Sequence, residues 1–230
     1  MGMEASALAV LPFSVSSRVI RKLYGETHHS GGSSHGGGSS HSGGSLSFNH
    51  VKDVLVLCMS DNPSASLSLP GMVVYREYDR VIFDAKPKET DEEFAPVYPT
   101  VGNSFIILGL GLKITCKSVI CDDNMYKNKT GDRINTSFTT FVFKSIDICG
   151  KISVRSRREG DLIRLKGQSG TKTLKKLFIE KRIPVRKRNL IPVICDEEGV
   201  LGIYKTGTGD RAVPKPGDSA IMIIFEEIGN

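Results

Sequence analysis

The chain has 230 residues, 39% hydrophobic and 24% charged, with 31 basic and 25 acidic side chains and a formal net charge of +6. It is long enough for one domain or two small ones, and its composition excludes a wholly disordered or fibrous protein. No apolar run approaches the roughly eighteen residues a membrane helix needs, and no secretory leader opens the chain, so a cytoplasmic protein without membrane contact is expected.

Ser14 or Ser16 can cap a first helix carrying Val19, Ile20 and Leu23, with Gly25 at its stop. Residues 27–45 then form a Gly/Ser/His stretch with no apolar residue to anchor it, which reads as a flexible linker or insertion. Four histidines, His28, His29, His35 and His41, lie there, but glycine-rich spacing offers no fixed ligand geometry, so no metal site is expected. Ser42-Gly43-Gly44-Ser45-Leu46-Ser47 resembles the S-G-G-x-D-S loop of ATP pyrophosphatases, with Leu46 where the acid belongs; without that carboxylate it is a coincidence of low complexity.

Ser47 can cap a second helix, in which Val51, Val54, Leu55 and Cys58 recur at helical spacing. From Met72 the period changes to two, and Val74 and Tyr75 are joined to Val81, Ile82 and Phe83 by the polar corner from Arg76 to Arg80, which predicts a hairpin. Residues 86–99, rich in proline and acids, suit an exposed connection. Phe105 to Leu108, Leu112 to Cys116 and Thr139 to Phe143 predict a small antiparallel sheet, with Gly109-Leu110-Gly111 as a tight turn and residues 122–135 as a polar loop.

Ile152 to Arg155 and Asp161 to Leu165 predict strands around a Glu159-Gly160 turn. Thr173 can cap a helix through Lys181 that ends at Ile183-Pro184, with Leu174, Leu177 and Phe178 on one stripe and Lys172, Lys175 and Lys176 on the opposite side. Val193 to Cys195, Val200 to Tyr204 and Ile221 to Phe225 close the chain as strands. The fold class is therefore α+β, two small domains, a helical plus β-hairpin unit followed by a mixed β/α unit.

Catalytic machinery is hard to assemble from these residues. Only His50 lies outside the linker, and at a helix start it is better suited to capping than to catalysis. Asp196, Glu197 and Glu198 form a run at a turn and read as a solvated loop; there is no Walker loop. The glycosylation patterns at Asn128 and Asn135 and the myristoylation-like start Met1-Gly2 have no supporting leader or membrane signal and are discounted. The five cysteines form no C-x-x-C pair and read as reduced core thiols.

Charge is the exception to this plainness. Between Lys151 and Leu190 fourteen Lys and Arg stand against three acids, Glu159, Asp161 and Glu180, a local net charge of +11; the remaining residues carry 17 basic and 22 acidic side chains. Eleven of the bases fall into three groups: Arg155, Arg157 and Arg158 at a strand end, Lys172, Lys175 and Lys176 on a helix, and Lys181, Arg182, Arg186, Lys187 and Arg188 around Pro184. Arginine forks and lysine point charges together suit a phosphate backbone. With only Phe178 among them, base stacking is disfavoured and a folded, duplex-like RNA favoured. The competing readings are a solvated face that binds nothing and a stand-alone basic interaction module that binds RNA or an acidic protein partner.

Arg155-Ser156-Arg157-Arg158-Glu159-Gly160-Asp161, then Lys172-Thr173-Leu174-Lys175-Lys176, then Lys181-Arg182-Ile183-Pro184 with Arg188, give the order R-x-R-x-x-G-D, K-x-L-K-K and K-x-I-P-x-x-x-R. In combination they resemble the C-terminal domain of tRNA(Ile)-lysidine synthetase. Upstream, Leu11-Pro12, the helix start at Ser47 and Leu69-Pro70-Gly71 leading into Tyr75-Arg76 look like that family's substrate-binding domain. Residues 27–45 have no counterpart there.

The resemblance implies an ATP-dependent ligase that adenylates the wobble cytidine of isoleucine tRNA and joins it to the lysine amine, changing the anticodon's reading from AUG to AUA. It implies ATP and magnesium in a further, N-terminal domain, and no cofactor in this chain. The partners it implies are isoleucine tRNA here, lysine and ATP through the missing domain; a homodimer is left open. On this basis residues 1–98 are expected to form a substrate-binding-like domain containing the linker, 99–150 a connecting β segment and 151–230 a tRNA-binding domain that grips the tRNA body and acceptor stem. Arg155, Arg157, Arg158, Lys172, Lys175, Lys176, Lys181, Arg182, Arg186 and Arg188 are the candidate contacts. Arg157 and Asp161 carry a second expectation, an ion pair across the Gly160 turn worth a few tenths to about 1 kcal/mol if exposed.

Overall fold

The structure is a computed structural model and describes residues 1–30, 46–85, 93–122 and 138–228. It combines helices with small antiparallel sheets, an α+β fold, in two compact units, residues 1–90 and 91–230.

In the first unit β1 (Gly2–Glu4), α1 (Ala5–Ala9), α2 (Phe13–Ser30) and α3 (Phe48–Met59) precede β2 (Ser66–Leu69), β3 (Met72–Glu77) and β4 (Arg80–Asp84). The sheet order is β1-β4-β3-β2, all antiparallel. Its core joins Ile20 and Tyr24 of α2 and Val51, Val54 and Leu57 of α3 to Val74, Val81 and Phe83 of the predicted hairpin. The expected cap is present: Ser47 Oγ accepts from His50 N–H, and His50 Nδ1 accepts from Ser47 N–H, so the histidine completes a capping box. At the other end of α3, Arg76 Nη1 donates to the carbonyls of Leu57, Cys58 and Ser60, satisfying orphan acceptors from a neighbouring strand.

The first helix corrects the sequence reading. It does not stop at Gly25 but continues to Ser30, so residues 27–30 are its last turn rather than linker. Thr27 Oγ1 donates to the carbonyl of Leu23 at 2.7 Å, and the His28 ring lies 5.6 Å from that of Tyr24. A helical glycine costs about 1 kcal/mol, which does not end the helix here. The rest of the expected linker, residues 31–45, lies outside the described residues, as do both glycosylation patterns.

The second unit contains three antiparallel sheets among the described residues. One has the order β5-β6-β14-β7, from β5 (Ser104–Ile107), β6 (Leu112–Ile120), β7 (Thr140–Lys144) and β14 (Ser219–Glu227). The expected turn at Gly109 is a short 3-10 helix, Leu108–Leu110, ended by Gly111 at φ 61°. A second sheet has the order β13-β12-β11-β8, from β8 (Ser153–Arg155), β11 (Val193–Cys195), β12 (Val200–Ile203) and β13 (Gly207–Thr208). The third is the short pair β9 (Leu162–Ile163) with β10 (Lys172–Thr173), which leads into α4 (Leu174–Glu180) and α5 (Val185–Arg188).

The first two sheets share a core of Phe141, Phe143, Ile194, Leu201, Ile223 and Phe225. They approach so closely that a Cβ on Gly202 would sit 2.8 Å from the Phe141 ring. A neighbouring cluster seats the stripe Leu174, Leu177 and Phe178 against Ile163, Val193 and Ile203. Cys58, Cys116, Cys121 and Cys195 are buried and no cysteine is bonded to another. Burial pushes the Cys195 thiol up to about 11, against the opposing pull of Arg155, so it stays a neutral core thiol.

Candidate nucleic-acid interface

Most of the basic segment is gathered around α4. Thr173 caps the helix as expected, its Oγ1 accepting from Lys176 N–H at 3.2 Å, and the buried stripe of Leu174, Leu177 and Phe178 leaves Lys175 and Lys176 exposed. Lys172 is not on the helix face expected for it. Because Thr173 is the extended cap residue, Lys172 belongs to β10, where its Nζ lies 2.7 Å from Glu180 Oε2.

The turn at Gly160, φ 85°, is tied to the start of α4 by the Leu174 N–H, which donates to Asp161 O at 3.0 Å. Arg158 lies at the exposed end of that turn. Asp161 pairs with Arg155, not with Arg157 as expected. Both guanidinium nitrogens of Arg155 meet its carboxylate at 2.8 Å, and the Arg158 N–H donates to it at 2.7 Å. The register of β8 against β11, Arg155 opposite Val193, turns the first arginine toward the acid. Arg157 is half-buried, and its Nε has no hydrogen-bond partner among the described residues. Burial works to raise the Asp161 carboxyl, but the hydrogen bonds from Arg155 and from Arg158 N–H, with the Arg155 charge, hold it below the usual aspartate value. Arg155 thus serves first to hold the turn.

At its far end α4 closes in a Schellman arrangement: Ile183 N–H donates to Phe178 O at 2.8 Å and Arg182 N–H to Ile179 O at 2.9 Å. The left-handed position, usually glycine, is Arg182 at φ 52°, and its side chain is exposed. Lys181 is exposed beside it, and the α4 axis separates this pair from Lys175 by about 10 Å at 1.5 Å per residue. Arg188 of α5 is buried, with Nε donating to Ile183 O at 2.9 Å, which places it in the packing of α5 onto α4; Arg186 is half-buried and Lys187 exposed. The outward set is therefore Arg158, Lys175, Lys176, Lys181, Arg182 and Lys187, with Arg186 partly so.

The acidic run read as a solvated loop is the largest miss. Asp196 has a fully buried side chain that accepts from the N–H groups of Cys149, Glu198 and Gly199 and pairs with both guanidinium nitrogens of Arg211. Burial would raise its carboxyl, but Arg211 and these N–H donors keep it low. Three neighbouring acids give no sign in the sequence that one of them turns inward; only the later Arg211 does. Among the described residues no group of three His, Cys, Asp or Glu side chains could hold a metal ion, and no helix is long and apolar enough to cross a membrane.

Residues 152–224, which include all these features, match the family model described as the TilS substrate C-terminal domain. This segment is a TilS C-terminal domain. It is the family to which the motif order R-x-R-x-x-G-D, K-x-L-K-K and K-x-I-P-x-x-x-R points. The chain is similar to the bifunctional protein TilS/HprT of Listeria monocytogenes, 28% identical over 189 residues, covering 80% of this chain and 27% of that protein. It is similar also to the tRNA(Ile)-lysidine synthase of Clostridioides difficile, 33% identical over 159 residues, covering 68% of this chain and 32% of that protein. The chain therefore spans about a third or less of the length of the curated relatives it matches. A crystal structure of a TilS C-terminal domain aligns with 59% of this chain and 98% of its own at 24% identity and a TM-score of 0.49.

Proposed function

We propose that this chain is the tRNA-holding part of a tRNA(Ile)-lysidine synthase and grips folded isoleucine tRNA through the basic face around α4. The observation that carries the reading is the separation of the arginines into two classes: Arg155 and Arg188 are engaged inside the fold, while Arg158, Lys175, Lys176, Lys181 and Arg182 face outward along one short helix and its adjoining turns. A face of alternating point charges and forks with no aromatic platform suits the phosphates of a duplex more than splayed bases. Lysine, ATP and magnesium would belong to a further domain of the whole enzyme, working in the cytoplasm, and this chain would carry no catalytic site of its own.

Lys175→Glu with Lys176→Glu should weaken binding of isoleucine tRNA while leaving the thermal melt unchanged, since both side chains are exposed. In a duplex complex each phosphate contact contributes about 0.9 to the slope of log K against log salt, so losing two should flatten it by about 1.8. An unchanged slope removes the helix face from the interface. If an acidic polypeptide of similar charge displaces the tRNA, the chain is a general basic module instead, and ATP turnover by this chain alone would contradict the division of labour.

A further inference from the structure

Beside the basic face the second unit carries a cleft of about 300 Å³, the small end of ligand-site volumes. Its apolar lining includes Leu162 and Val200, and its rim carries Arg164, Glu198, Asp210 and Arg211. The walls are fixed by backbone bonds: Asp210 N–H donates to Arg164 O at 2.9 Å, Lys166 N–H donates to Thr208 O at 2.9 Å, and Leu165 bridges to Gly209.

The rim charges pair across the opening, Arg164 Nε with Asp210 and Arg211 Nη1 with Glu198 at 3.0 Å. These contacts leave most of two groups accessible, since the Arg164 side chain is 58% exposed and that of Glu198 62% exposed. A phosphate entering here would meet two carboxylates beside two guanidinium groups already paired to them, so the rim offers it no net positive charge. A wholly apolar ligand would strip water from two ion pairs without replacing it. What fits is flat, able to stack on a guanidinium, and carries N–H donors on its edge.

We propose that this cleft receives one unpaired nucleobase bearing an exocyclic amino group, adenine, cytosine or guanine, from an RNA whose duplex lies on the adjoining basic face; the proposal rests on the RNA-binding reading above. Arg164 supplies the stacking plane that an aromatic ring supplies elsewhere. Glu198, an acceptor only and 62% exposed, takes the amino hydrogens. Uracil has no exocyclic amino group and offers only its single N3–H, so it is the base disfavoured. The cleft and the face are continuous in the chain: Arg164 directly follows β9, and Thr171, which also lines the cleft, directly precedes Lys172 on the paired strand β10.

The test uses the whole chain and a labelled RNA hairpin, blunt or extended at either end by unpaired A, C or U, with affinity read by fluorescence anisotropy at fixed salt. An A or C extension should tighten binding roughly five- to a hundredfold over the blunt hairpin, the range for stacking one base, and a U extension by less. Glu198→Ala should erase the preference for A and C over U, and Arg164→Ala should erase the gain from any extension, both read as the ratio of extended to blunt affinity. Equal affinity for blunt and extended hairpins overturns the cleft while leaving duplex binding intact. A preference that survives Glu198→Ala overturns the role of the carboxylate. Failure to bind the blunt hairpin at all overturns the duplex reading, and the cleft proposal with it.

Discussion

Replacing Asp161 with asparagine isolates the one ion pair that holds the turn before α4. In the folded chain its carboxylate takes two guanidinium bonds from Arg155 at 2.8 Å and one backbone bond from Arg158 at 2.7 Å, and the two side chains are only 11% and 12% exposed. A charge-assisted bond contributes about 1.5 to 3 kcal/mol, but the three share one acceptor group and offset its desolvation. Asparagine keeps one acceptor oxygen and sets an NH₂ against the Arg155 fork, leaving a largely buried cation without its counter-charge. Breaking such a pair costs about 3 to 5 kcal/mol when fully buried, so about 2 to 4 kcal/mol is expected here. Thermal unfolding should shift down by roughly 5 to 15 °C. A double-mutant cycle with Arg155→Met should give a coupling energy above about 1.5 kcal/mol. The pH dependence has a definite sign. Because the folded carboxyl lies below the ordinary 3.8, its contribution is complete above that value and is lost as pH falls through the lower folded value, a loss that Asp161→Asn should lack. A change below about 1 kcal/mol with no coupling would refute the argument and return the pair to the class of solvated surface bridges.

Arg182→Gly should stabilise the chain by up to about 1 kcal/mol, since glycine accepts φ 52° without strain, yet weaken tRNA binding; a melt that moves down would show that the side chain, not the backbone, holds the helix end. Asp196→Asn should cost about 3 to 5 kcal/mol in chemical denaturation, because it leaves Arg211 without its buried counter-charge at a site that also orders the Glu198-Gly199 turn. Gly202→Ala should cost about 1 to 3 kcal/mol from overpacking against Phe141; a neutral result would mean the two sheets separate easily.

Elements whose signals lie within a few residues were legible in the sequence. Ser47 and Thr173 announce helices through a local cap followed by an apolar stripe, and the hairpin through β3 and β4 through period-two alternation. Elements held from a distance were not. The helix α1 has no side-chain cap of its own; its start is held by Asp79, whose carboxylate accepts from both the N–H and the hydroxyl of Ser6, 73 residues away. The strand β1 exists only as a partner of β4, and α2 runs past Gly25 to Ser30 although the local sequence signals a stop there. The candidate interface shows the same division. Charge counting located the basic segment, but which arginines face inward depends on strand register and burial, so Arg155 and Arg188 could not be told from Arg158 and Arg182 by type or spacing.

The position of β14 governs when the second unit can fold. It is the last strand of the described chain, yet it lies inside its sheet, pairing with β6 from Ser219–Ile120 to Glu227–Leu112 on one side and with β7 on the other. Until β14 is in place, the inner edges of β6 and β7 face no partner, and the aromatic layer of Phe141 and Phe143 lacks Ile223 and Phe225. Closing that sheet requires a loop of about a hundred residues from β6, the kind of non-local pairing that slows folding and leaves open edges exposed to other nascent chains. The β9–β10 pair and α4, by contrast, are built from near neighbours in sequence. The basic helix can therefore take shape before the β14 sheet is complete.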